Sequence, residues 1–153
     1  MKNQIKIIMA FMMLAVFITG CNSDLNTDNS ISGKAEISSA KVEKIEVFHF
    51  HGNHQCASCI AVGSLAEETV NTYFADEVKS GKIIFGHING ELPENNDLVA
   101  KYGATGSSLW IGTYTKDGQF KAEQNVNVWY KINNKEEYMD YLKGVIEQKL
   151  SGE

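Results

Sequence analysis

The chain has no arginine: all 14 of its basic residues are lysine, set against 19 acidic ones. A net charge of −5 with no basic stripe argues against a groove that tracks phosphates, and so against nucleic acid as a partner. Without the planar guanidinium fork there is also no bidentate clamp for phosphate or carboxylate. Proline occurs once, at Pro93, and cysteine three times, at Cys21, Cys56 and Cys59. An odd cysteine count leaves one thiol over in any disulfide framework. The sequence carries no glycine-rich phosphate loop, no paired catalytic carboxylates, no nucleophilic serine motif and no internal repeat. What is present suffices for a core: 43% of the 153 residues are hydrophobic, which suits one domain with appendages.

The single long apolar run lies at the N-terminus. Lys2 and Lys6 precede Ile7 to Phe17, a stretch shorter than the roughly 20 residues that span a bilayer. This is the layout of a secretory signal. The tract Ile18-Thr19-Gly20-Cys21 resembles the lipobox of bacterial lipoproteins. That resemblance implies cleavage before Cys21, a diacylglycerol on its sulfur and an acyl chain (palmitate, for example) on its amine. The competing reading is an uncleaved anchor helix with an incidental cysteine. Either places the rest of the chain outside the cytoplasm and on a membrane. Asn22, where an aspartate would retain the protein at the inner membrane, favours the outer membrane in a diderm bacterium. Without Lys2 and Lys6, 12 basic residues face 19 acidic ones, a net of −7. Acyl chains rather than charge must then hold the protein to the membrane. Residues 22–41 are rich in Ser, Asn, Asp and Thr and have no apolar period, which predicts a flexible tether. The expected division is a signal peptide over 1–20, a tether with lipidated Cys21 over 21–41, and a folded domain over 42–153.

Ile45, Val47, Phe48 and Phe50 predict a central strand. From Ala57 to about Lys79 the apolar period becomes helical, ending at Ser80-Gly81. Lys82 to Asn89 reads as a second strand, and about Asn95 to Tyr102 as a short helix closed by Gly103. Ser107 to Thr115 and Phe120 to about Trp129 are strands joined at Lys116-Asp117-Gly118, with Trp110 and Trp129 as strand packing. Gly86 and Gly112, inside strands, mark bulges or close approaches. An amphipathic helix from about Lys135 to Leu150 starts at an Asn134 cap with Glu137 three residues on. The order is β-α-β-α-β-β-α, an α/β domain whose first two strands are parallel and last two antiparallel, with helices on both faces of a four-stranded mixed sheet.

The chemistry gathers at Phe48-His49-Phe50-His51-Gly52-Asn53-His54-Gln55-Cys56-Ala57-Ser58-Cys59, where the first strand turns into the first helix. At a helix N-terminus, free N–H groups favour a thiolate at Cys56, and Cys59 lies one turn along the same face. Cys56 is the expected nucleophile and Cys59 the resolving thiol. A static structural bridge is the alternative, but closing so short a loop stabilises little. His54, two residues before Cys56, can steady its thiolate or take a proton. His49 and His51 share a strand face opposite Phe48 and Phe50. His49 and His87 are expected to be ordinary packing or exposed residues, with His87 too far along the sheet to help. Glu67, Glu68, Asp76 and Glu77 read as the solvated face of the helix.

Element order and motif together resemble a minimal thioredoxin-like domain, with Cys56-Ala57-Ser58-Cys59 at the first strand–helix junction. Lys101-Tyr102-Gly103 to Trp110 is similar to the family's tract leading to its cis-proline. The resemblance implies thiol–disulfide exchange with protein thiols or disulfides, needing no cofactor beyond the cysteine pair. It departs at three places. Ser108 stands where the family has its cis-proline, and Ser107–Ser108 is expected to be trans, since a cis bond there costs about 3–4 kcal/mol. Ser107 and Ser108 thus occupy the substrate-pairing position in altered form. Phe50 stands six residues before Cys56, where the family has a buried acid, and Gln55 replaces an aromatic residue. Two further function classes stay open. One is a zinc or copper site made by His51, His54, Cys56 and Cys59. The other is a redox-inactive interaction domain.

Overall fold

A computed structural model describes residues 41–152. The signal-like segment, Cys21 and the tether up to residue 40 lie outside the described residues. Among those described, the strands are β1 (Val42–His51), β2 (Ile83–Asn89), β3 (Ser108–Thr115) and β4 (Phe120–Gln124). The helices are α1 (Ala57–Tyr73), α2 (Ala75–Lys79), α3 (Asn96–Tyr102) and α4 (Lys135–Ser151). The strands form one sheet in the order β2-β1-β3-β4. β1 is parallel to β2 and antiparallel to β3, and β3 is antiparallel to β4. This is the mixed four-stranded α/β arrangement that the element order predicts.

β1 is apolar on both faces because both are covered. Ile45 and Val47 pack with Val62, Ala66 and Val70 of α1 and Tyr138, Leu142 and Ile146 of α4. Phe48 and Phe50 point the other way, into a second cluster with Tyr102 and with Leu98 and Val99 of α3. Each large aliphatic or aromatic side chain so buried contributes about 1.5–3 kcal/mol. The second face also holds a charge. Glu46 accepts hydrogen bonds from Lys44 Nζ (2.7 Å), Tyr102 Oη (2.8 Å) and Tyr114 Oη (2.7 Å). Burial opposes its ionisation, but these donors outweigh burial and hold the carboxyl below its ordinary range. Gly112 is a close approach, as the sequence suggests: a Cβ there would strike the Tyr102 hydroxyl.

Two boundaries differ from the periodicity. The helix after the cysteines does not run unbroken to Lys79. It leaves helical geometry at Phe74 (φ −131°), then resumes as α2. Phe74 stays in the same core as Val70, and its N–H still bonds the Val70 carbonyl at 3.0 Å. The break turns the chain towards β2 without a glycine or proline to announce it. β4 stops at Gln124, well short of Trp129. Asn125 donates its N–H to the Leu109 carbonyl (2.8 Å) and accepts from Tyr141 Oη (3.1 Å), after which Asn127–Tyr130 form a 3-10 turn. Trp129 therefore packs from a turn, not a strand, while its neighbour Val128 is fully buried. Asparagines favour such turns because their side chains bond locally. The Asn134 cap is as expected, its Oδ1 accepting the Glu137 N–H at 3.2 Å.

Candidate redox site

Cys56 is the N-cap of α1, extended at φ −76° and ψ 163°, and its Sγ accepts the Cys59 N–H at 3.1 Å. Cys56 and Cys59 form a disulfide with Cα atoms 5.0 Å apart. Cys56 is exposed and Cys59 half-buried, so an incoming partner reaches Cys56 first. The first turn of α1 carries no acidic residue. Once the bridge opens, the N–H groups and dipole of this helix end face the Cys56 sulfur, an environment that favours a thiolate.

The turn before Cys56 is braced from the β2–α3 loop. Asn53 N–H donates to Glu91 Oε2 (3.1 Å), and Asn89 Nδ2 donates to Asn53 Oδ1 (2.8 Å). The His51 carbonyl accepts the Gly90 N–H at 2.8 Å. His54 is exposed on this turn. His51 Nδ1 is engaged with the Gly52 carbonyl at 2.9 Å. Among the described residues no three His, Cys, Asp or Glu side chains are placed to hold a metal ion.

Ser108 pairs with Phe50 across β1 and β3, which places Ser107 and Ser108 at the same sheet end as the cysteine turn. Every described peptide bond is trans, including Ser107–Ser108. Ser108 is buried, donating Oγ–H to the Gly106 carbonyl (2.9 Å) and accepting the Trp110 indole N–H (3.0 Å). Ser107 Oγ is buried without a partner.

The histidines depart most from expectation. His49 and His51 do share one face, with rings 5.6 Å apart and nearly parallel. Phe50, six residues before Cys56, belongs to the opposite cluster and does not lie under the cysteines. The side chain beneath α1 is His49, only 1% exposed. Its ring fills the space a Cβ on Gly63 would need, one helical turn after Cys59. His87 is not too far along the sheet: it is the register partner of His49, with their Nδ1 atoms 3.1 Å apart. His87 Nε2 in turn meets Glu67 Oε2 at 3.2 Å, so Glu67 is more than solvated helix surface. Burial first, then His87 and His51, lower the His49 pKa to about 4, against a weaker opposing pull from the Cys59 carbonyl. His49 Nε2 has no hydrogen-bond partner among the described residues. Alternation in the sequence puts His49 on the face opposite Phe48 and Phe50; that this face lies under α1 is seen in the fold. The parallel register that joins it to His87 becomes visible only in the folded sheet.

The chain matches no protein-family model and no curated protein at a significant level. No helix among the described residues is long and apolar enough to cross a membrane.

Proposed function

We propose that the domain is thioredoxin-like and acts as a membrane-tethered, extracytoplasmic thiol–disulfide oxidoreductase, exchanging the Cys56–Cys59 disulfide with protein partners. The observation that carries this reading is the asymmetry of the pair. Cys56 is exposed at the start of α1, its sulfur already accepting an N–H, whereas Cys59 is half-buried behind it. A partner thiolate attacks the exposed sulfur, forms a mixed disulfide at Cys56 and displaces the Cys59 thiolate. In the reverse direction Cys59 attacks that mixed disulfide and releases the partner. A bridge placed only for stability gains nothing from this asymmetry. Ser107 and Ser108, at the same sheet end, stand at the position the family uses to pair with a partner's backbone, and His54 is the exposed imidazole two residues before Cys56.

The lipobox-like Ile18-Thr19-Gly20-Cys21 supports lipid anchoring through Cys21 to the outer face of a bacterial membrane. Incorporation of labelled palmitate that is lost in Cys21→Ser is the expected result. Disulfide exchange is tested with a reduced model protein and glutathione as the second couple. Cys56→Ser should abolish turnover, and Cys59→Ser should accumulate mixed disulfides joined through Cys56. Exchange at the unmodified rate in Cys56→Ser would sink the proposal.

A further inference from the structure

The loops at the C-terminal ends of β1 and β2 enclose a pocket of about 220 Å³ that the exchange steps leave unused. Ligands commonly bind at this end of parallel strands. The volume suits a side chain rather than a whole small molecule. Its lining is divided. Phe50, Val99 and Ala104 make an apolar wall, with Phe50 and Ala104 buried. Glu91 contributes the one carboxylate of the lining.

That carboxylate is held in place. Glu91 Oε2 accepts the Asn53 N–H at 3.1 Å, and the Glu91 N–H donates to Asn89 Oδ1 at 3.1 Å. Asn89 Nδ2 donates to Asn53 Oδ1 at 2.8 Å, which closes a ring of bonds between the two loops. Gly52 makes room for the group: a Cβ there would come within 2.5 Å of Glu91 Oε1. Gly52 does not adopt the left-handed conformation that favours glycine, so space accounts for the residue. The lysines that form ion pairs with carboxylates do so with Glu46, Glu68, Glu123, Glu137 and Glu147. Glu91 is thus left without a cation among the described residues. An apolar wall ending at an uncommitted carboxylate matches a side chain with an aliphatic stem and a cationic head. The pocket is also close to the reacting sulfur. Gly52 precedes Cys56 by four residues, so their Cα atoms lie within about 14 Å. The net charge of −5 favours basic partners as well.

We propose that this pocket receives a lysine or arginine side chain of the protein that exchanges with Cys56. The stem lies along Phe50, Val99 and Ala104, and the cation meets Glu91 Oε1. This rests on the exchange function proposed above and gives it a substrate class. At about 3.3 Å per extended residue, the basic side chain belongs within about four positions of the partner's reacting cysteine. Glu91 sets specificity and takes no part in breaking or forming sulfur bonds.

The test is oxidation of the reduced full-length Cys21→Ser chain by symmetric disulfides of short peptides. Each peptide has one cysteine and, close to it on either side in turn, a lysine, a norleucine or a glutamate. Cys56 attacks the peptide disulfide, and one peptide leaves as its thiolate. Cys59 then closes on Cys56 and releases the second peptide, and the released thiols are timed. Dividing the parent rate by the E91Q rate cancels the intrinsic reactivity of each peptide. E91Q keeps an acceptor for the Asn53 N–H, so the turn stays braced. The ratio should be about three- to fivefold for the lysine peptide, the upper end for an exposed ion pair. It should be close to unity for norleucine and below unity for glutamate. E94Q removes a neighbouring exposed carboxylate outside the pocket and should show no such preference. Raising salt from about 0.01 M to 1 M shortens the screening length from about 30 Å to 3 Å and should bring the lysine ratio towards unity. A lysine ratio no greater than the norleucine ratio, or an equal loss in E94Q, overturns the pocket as a site for a basic residue and leaves exchange intact. A parent chain that none of the peptides oxidises overturns the exchange function, and the role of the pocket with it.

Discussion

At the scale of single residues, His49 makes stability depend on acid. Its pKa is about 4 in the folded chain against an ordinary 6.5. Above pH 6.5 both folded and unfolded chains leave the ring neutral, and its contribution is intact. As pH falls from 6.5 to 4 the unfolded chain takes up a proton that the folded one refuses, so stability drops through that window, by about 3 kcal/mol in all. Urea midpoints measured across the window should fall steeply for the native chain. H49Q should lose that slope while keeping the loss at lower pH that comes from Glu46, whose depressed pKa acts below the usual carboxylate range. Gly63 gives a second prediction. Gly63→Ala drives a methyl into the imidazole and should cost about 1–3 kcal/mol. In a His49→Ala background the same change should instead stabilise, by about 0.5–1 kcal/mol, because the collision is gone and alanine is the better helix former. Equal effects in both backgrounds would show that the two sites do not touch.

At the scale of elements, the turn out of α1 depends on Phe74. Replacing it with alanine removes the buried ring that accompanies the break and should lower stability by about 3–5 kcal/mol, read from denaturant unfolding. α2 should lose amide protection from hydrogen exchange before α1 does. The contrast between these two helices shows what sequence conveys. The start of α1 was legible because Cys56 follows a strand and a turn and opens a helical period, and the start of α4 because Asn134 is a cap. Alternation along β1 correctly sorted His49 from Phe50. The end of α1, the early stop of β4 and the pairing of His49 with His87 were not legible, since each depends on a contact distant in sequence. Phe74 meets a core built by other elements, Asn125 is held by Leu109 and Tyr141, and His87 finds its partner through strand register. Counting six residues back from Cys56 selected Phe50, which belongs to the opposite cluster, whereas the buried ring beneath α1 is that of His49.

At the scale of the whole molecule, opening the disulfide should leave the fold in place. The bridge closes a sequence separation of only 3 residues. Loop-closure entropy for so short a span is worth about 2 kcal/mol, a modest part of the 5–15 kcal/mol typical of a domain. The reduced chain should therefore unfold cooperatively in urea at a lower midpoint, with unchanged far-ultraviolet dichroism in water. A reduced chain already unfolded in buffer would make the bridge structural and weaken the case for exchange. The fit of the His49 ring into the notch at Gly63 also bears on ancestry. A lineage that keeps the ring cannot put a side chain on that glycine without strain, whereas one that has lost the ring is free to do so. Losing the imidazole first and the glycine second avoids the collision that the reverse order meets, and descendants of the sequence should favour that order.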